Sequence, residues 1–138
     1  MSRHGAYGVV LQDSAILLTL KESGPYKGLW GLPGGAIEFG ETPEEALKRE
    51  LLEETALAAA QLELLSVATT VGEFNKHGEL YQFHHIGIIY KVSSITLMPN
   101  LVPEEEGRWV KLKDLEQEQL TPFAKHVLEE SFNLIVGK

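Results

Sequence analysis

The stretch GAIEFGETPEEALKRELLEETAL, residues 35–57, decides how the chain is to be read. Thr42-Pro43-Glu44-Glu45 is a helix start: Thr42 can cap, Pro43 sits in the first turn where no N–H is needed, and Glu45 can complete a capping box. The helix is predicted over Pro43 to about Thr55. Ala46, Leu47, Leu51 and Leu57 trace an apolar stripe at helical spacing, so the stripe packs and Glu50, Glu53 and Glu54 are left facing out on a different arc. Those three glutamates stand at i, i+3 and i+4, close enough to repel by about a few tenths of a kcal/mol per pair. A hard cation is the economical reason for such a cluster, and carboxylate oxygens suit Mg²⁺ or Mn²⁺ bridging to substrate phosphates. The glycines just upstream let backbone approach a ligand because no side chain intervenes.

Outward from this helix, the chain alternates strand and turn signals. Ala6 to Leu11 and Ala15 to Leu20 read as a β-hairpin, followed by a loop from Lys21 to Gly28. Trp30-Gly31-Leu32-Pro33-Gly34-Gly35 reads as irregular. Leu62 to Val71 and Leu80 to Val92 have strand composition with a loop at Gly72 to Glu79, and Gly107 to Leu112 gives one more strand. Thr121-Pro122 repeats the cap-plus-proline signature ahead of an amphipathic helix carrying Phe123, Val127, Leu128 and Leu134. The fold class expected is α+β, a mixed sheet between helices, in one domain covering residues 1–138.

Composition narrows the function. With 12 basic and 20 acidic residues the net charge is −8, which argues against a general affinity for duplex nucleic acid, since that needs a basic face. The absence of cysteine excludes disulfides, thiolate zinc sites and cysteine nucleophiles, and fits a reducing compartment. No apolar run reaches the roughly 18 residues of a membrane span. A cytoplasmic protein with a small-molecule partner and no membrane partner is expected, and a homodimer is compatible with the pattern.

Gly35, Glu41 and Arg49-Glu50-Leu51-Leu52-Glu53-Glu54-Thr55-Ala56-Leu57, at their spacing, resemble the signature box of the Nudix hydrolases. The resemblance continues upstream through Trp30 to Gly35 and Glu38 to Glu41. It implies an α/β/α sandwich and hydrolysis, by water attack on phosphorus, of a nucleoside triphosphate or of a nucleoside diphosphate linked to another moiety. It also implies a required divalent metal, with Glu50, Glu53 and Glu54 as metal-binding and base-supplying carboxylates and Gly34 offering a carbonyl to the metal. Arg49 matches an organiser of those carboxylates, with Glu41 as a partner for a two-pronged hydrogen bond, or else a direct phosphate contact. Ala56 stands where the family pattern usually has glycine, and a strained turn with positive φ is expected there. The substrate is left to the loops. A small enzyme similar to MutT is preferred over an RNA-end pyrophosphohydrolase, which needs a basic groove, and over a nucleotide-binding module without catalysis.

Outside the box, Glu104-Glu105-Glu106 resembles the place where family members supply a further carboxylate, so Glu105 joins the metal candidates, against an acidic loop simply exposed to water. Tyr26, Phe74 and Tyr81 are the stacking candidates for substrate; Tyr26 and Phe74 lie in the loops at Lys21 to Gly28 and Gly72 to Glu79, which are expected to flank the site. Trp30 and Trp109 read as core instead. His84 and His85 are strand neighbours and point to opposite faces, so at most one can serve a site.

Overall fold

The computed structural model describes residues 2–135. Strand β1 (Ser2–Gln12) forms the expected hairpin with β2 (Ala15–Leu20). It begins earlier than its composition suggests because Ser2 to Val10 runs parallel to His84 to Val92, a pairing that local sequence does not carry. Two short strands, β3 (Trp30–Gly31) and β4 (Gly34–Ala36), correct the irregular reading of the glycine-rich segment. They pair with β2 and β1 respectively. Gly34 has φ 136°, and a Cβ there would collide with the Ala6 carbonyl oxygen. Only glycine lets β4 lie this close to β1.

Helix α1 (Pro43–Thr55) is as predicted, with the full capping box between Thr42 and Glu45. It ends at Ala56, whose φ of 62° is left-handed and whose N–H closes on Leu52 O, so the expected turn is present. Strands β5 (Leu57–Lys76) and β6 (Glu79–Leu97) form one long antiparallel ribbon. The loop expected over Gly72 to Glu79 is therefore corrected. The ladder continues to Lys76↔Glu79, and the reversal needs only His77 and Gly78, both at positive φ, as a two-residue hairpin turn requires. Strand β7 (Gly107–Lys111) pairs with β2. Helix α2 (Pro122–Ile135) is capped by Thr121, whose Oγ1 accepts from Ala124 N. The Leu134 side chain lies outside the described residues.

The mixed sheet has the order β3-β2-β1-β6-β5, with β4 on β1 and β7 on β2. Side chains of β1 alternate between its two faces. Ala6 and Val10 join Leu17, Tyr90 and Val92 under Ala46, Leu47 and Leu51 of α1. Tyr7 and Val9 join Ile16, Leu18 and Ile89 under Phe123, Ala124, Val127 and Leu128 of α2. The sheet is thus sandwiched between the two helices. Trp30 is buried, with the Arg108 guanidinium 4.2 Å over its ring. The reading of Trp109 as core is corrected: it is 40% exposed, because no layer covers it there.

Candidate active site

Helix α1 and strand β4 build the site together. The 50/54 edge of α1 faces β4, and the glycines decide how near it comes. A Cβ on Gly35 would overlap the Glu50 carboxylate, and Gly34 N donates to Glu54 Oε1 at 3.0 Å. The expectation that all three glutamates face solvent is corrected for Glu54, which is 7% exposed. Glu50 is half-buried by its contact with β4 and Glu53 remains largely open. The segment before β7 completes the wall. Glu104 N donates to Glu53 O at 3.0 Å and Glu105 N to Glu54 O at 3.2 Å, satisfying helix-end carbonyls that lack intrahelical partners and drawing Glu105 alongside Glu54.

Glu50, Glu54 and Glu105 line one cavity with Gly34 and Gly35. Glu53 does not line it; its Oε1 accepts from Arg49 Nη1 at 3.3 Å. Arg49 makes the expected two-pronged bond to Glu41, Nε to Oε2 at 2.7 Å and Nη2 to Oε1 at 3.1 Å, and also donates to Ala36 O at 3.1 Å. The guanidinium thus ties α1 to both the turn before it and β4. Its bond to Glu41 holds the Glu41 carboxyl below the usual carboxylate range.

The charged wall is under tension. Burial pushes the Glu54 carboxyl up to about 8, with Lys21 opposing the shift and Glu105 and Glu50 adding to it. Burial also raises Glu50, partly offset by Arg49 and reinforced by Glu53. Among the described residues no three acidic or histidine side chains close into a ready-made cage. The donor set nonetheless fits a hard divalent cation: Glu50, Glu54 and Glu105 offer oxygen ligands only, and their carboxylates repel one another. The Gly34 amide, not its carbonyl, makes the recorded contact with Glu54.

Sequence reasoning missed Lys21. Its Nζ reaches Thr19 Oγ1 at 2.8 Å, Leu32 O at 3.1 Å and Glu105 Oε1 at 3.4 Å, so the one ammonium beside the acidic wall is held in place from three sides. A signal existed in Thr19, a polar residue within an apolar strand run, which shares its face with Lys21 two positions on.

Opposite the carboxylates the cavity is aromatic. Tyr26 lines it with Arg3, Tyr7, His85 and Phe123. His85, 2% exposed, bridges two tyrosines: Nδ1 to Tyr26 Oη at 2.9 Å and Nε2 to Tyr7 Oη at 2.7 Å. Its ring stacks on Phe123 at 3.8 Å between centroids. Burial, with Arg3 and Lys21 nearby, pushes its pKa down to about 3, so the imidazole is neutral and donates from one nitrogen while accepting at the other. Burial raises Tyr7 as well. His84 is exposed on the other face, as the alternation requires. Phe74 and Tyr81 are not in this cavity. They are cross-strand partners near the ribbon tip, stacked on each other at 5.8 Å, and Phe74 touches Phe83, whose ring lies against His85. A narrower cleft, lined by Tyr26, Phe83, Thr70 and Gly72 among others, adjoins it.

A sandwiched mixed sheet with a carboxylate-bearing helix against a glycine strand defines a class, and comparison with known proteins identifies it. The NUDIX domain model matches residues 2–131, and the chain belongs to the Nudix hydrolase family. It is 32% identical over 114 residues to the oxidized purine nucleoside triphosphate hydrolase of Mus musculus, covering 83% of this chain and 69% of that protein. It is 47% identical over 60 residues to the ADP-ribose pyrophosphatase of Methanocaldococcus jannaschii, a match to 44% of this chain that spans only 36% of the archaeal protein. Among solved structures, a MutT NUDIX hydrolase from Burkholderia pseudomallei superposes with a TM-score of 0.75 at 29% identity, covering 94% of this chain and 97% of that one. No helix among the described residues is long and apolar enough to cross a membrane.

Proposed function

We propose that residues 1–138 act as one domain that hydrolyses a phosphoanhydride of a nucleoside triphosphate, or of a nucleoside diphosphate linked to another moiety, in a Mg²⁺-dependent reaction with water as the nucleophile. The observation that carries this reading is the convergence of Glu50, Glu54 and Glu105 on one cavity against Gly34 and Gly35. The likeness to the mouse hydrolase over most of the chain favours a purine nucleoside triphosphate, oxidised purines included, within that class.

Glu50, Glu54 and Glu105 would hold the cation, Mg²⁺ or in its place Mn²⁺, with the Gly34 carbonyl as a further ligand and Glu53 at the mouth. When bound, the cation supplies charge neutralisation at the phosphoryl oxygens and acidifies water. The chain's own part is distinct. One of the cavity carboxylates accepts the proton of the attacking water. Lys21 sets a fixed positive charge beside the phosphates, Arg49 keeps Glu53 and Glu41 in register, and Tyr26 offers a ring to the base at the aromatic end. The absence of cysteine fits a cytoplasmic setting.

The test is a nucleotide panel with purified protein and Mg²⁺, scored for pyrophosphate and for phosphate release, with chelator as control. Chelator-sensitive release of nucleoside monophosphate from at least one purine triphosphate is expected. Inactivity across triphosphates, diphosphate derivatives and 5′-triphosphorylated RNA, with nucleotide binding retained, would replace this reading by a non-catalytic binding module.

A further inference from the structure

The long ribbon leaves a bare edge. Strand β5 is the last in the sheet order, and among the described residues no backbone hydrogen bond joins Leu62 to Lys76 to anything other than β6. Proteins blunt such edges with charges, prolines or a covering layer. Here the run Leu64 to Gly72, LLSVATTVG, has no charged residue and no proline. Helix α1 covers only the first part of its face. Beyond the helix, Leu64, Val67 and Val71 are 62%, 63% and 70% exposed, and Leu80 across the ribbon is 66% exposed. Ladder registry places all four on the α1 side of the sheet, so they prolong the core that Ile88 begins, and among the described residues no layer covers them.

We propose that this edge pairs with the same edge of a second copy of the chain, antiparallel, about a two-fold axis at Thr69. The edge is self-complementary in that register. Val67 then lies opposite Val71 of the second copy, and Val71 opposite its Val67, giving two β-branched cross-strand pairs on the exposed face. On the other face Ala68 meets Thr70, and Ser66 meets Gly72, all small enough to pass. The valine pairs select this register: the stretch Ser66 to Gly72 lies wholly on one side of the bulge between Leu64 and Ser66, so its alternation is unbroken. An acidic chain of net charge −8 whose free edge is uncharged over Leu64 to Gly72 can approach itself there without repulsion. Closed two-fold pairing uses up both edges, so assembly stops at the dimer.

Sedimentation velocity on the full chain, from low to high micromolar concentration, tests it. A dimer is expected. Thr69→Lys, at an exposed position, sets two ammonium groups face to face at the axis and should raise the dimer dissociation constant roughly tenfold or more with an unchanged circular-dichroism spectrum. Val67→Asp should weaken the dimer likewise, because each copy's Val67 then faces Val71 of the other. Replacing exposed Phe39, which lies off the ribbon, by Ser should leave it untouched. A wild type that stays monomeric throughout overturns the proposal. So does a dimer indifferent to Thr69→Lys, which would have to use another surface, or a ladder of larger species in place of a closed dimer.

Discussion

Acidification should destabilise this protein through His85. In the folded chain its pKa is depressed to about 3 from 6.5, while the unfolded chain titrates near the ordinary value. Between those limits the unfolded state binds the extra proton, so stability is full above about pH 6.5 and drains as the pH falls. Integrated from about pH 7.5 to about pH 5, one such group costs about 2 kcal/mol. That is an upper figure, because His85 lines a cavity rather than the closed core. For a chain of this length it corresponds to a melting temperature lower by roughly 7 °C. Groups facing the ring are Tyr7, Tyr26, Phe83 and Phe123, with Arg3 and Lys21 as nearby cations, and none is a carboxylate able to rescue the imidazolium. Glu54 works in the opposite sense when divalent metal is chelated, since its raised pKa means that the folded state holds the proton and stability falls as the pH rises. The clean measurement is therefore the difference between wild type and His85→Gln in denaturant melts across the pH window. The wild type should lose about 2 kcal/mol relative to the variant on going to pH 5, and the His85 resonances should show no titration above about pH 4. Parallel pH profiles for the two proteins, or a His85 imidazole titrating near its ordinary value, would refute the reasoning.

Glu54→Gln should cut nucleotide turnover by orders of magnitude while leaving the chelated protein as stable or more stable at neutral pH, because the amide can still accept from Gly34 N and no desolvated charge remains; the rise in melting temperature on adding Mg²⁺ should shrink with it. Gly35→Ala places a methyl in the Glu50 carboxylate, and turnover with the best substrate should fall at least tenfold with the far-ultraviolet spectrum unchanged; wild-type turnover would show that Glu50 has no fixed place in the site. Ala56→Gly relieves a left-handed φ worth about 1 kcal/mol but removes a methyl that is 1% exposed, worth about 0.8 kcal/mol. The two nearly cancel, so urea melts should agree within about 0.5 kcal/mol, and a larger shift in either direction would show which of the two governs this turn.

What could be read from the sequence was whatever its own neighbours dictate. Helix α1 announced itself through Thr42, Pro43 and Glu45, all within one turn, and the turn at Ala56 followed from a departure at a single position. The strands at Trp30–Gly31 and Gly34–Ala36 were illegible because glycine has no strand signal of its own; what makes them strands is the ladder offered by β1 and β2. Phe74 reads from sequence as part of a loop over Gly72 to Glu79 beside the site, with Tyr81 at the start of the next strand. The ladder runs on through Gly72 because its partner Phe83 is anchored in the aromatic cluster around Tyr26 and His85, a contact across the fold that turn propensities do not contain.

The three glutamates show most clearly where periodicity stops being enough. Spacing makes Glu50, Glu53 and Glu54 equivalent members of one arc, yet the structure divides them. Glu53 has its countercharge in α1 itself, one turn away in Arg49, and needs nothing from outside to be tolerable. Glu54 has a backbone N–H and, at the edge of its surroundings, Lys21, which is itself engaged with Glu105. An apolar residue would suit that buried position better for stability alone. A carboxylate there, beside a second one on Glu105 that the helix-end carbonyls draw in, is hard to explain by folding and agrees with the cation role proposed for both. The division follows from two glycines that admit the helix on one side and from two backbone bonds that dock a loop on the other. The chemistry at the site therefore depends on residues that have no functional group of their own.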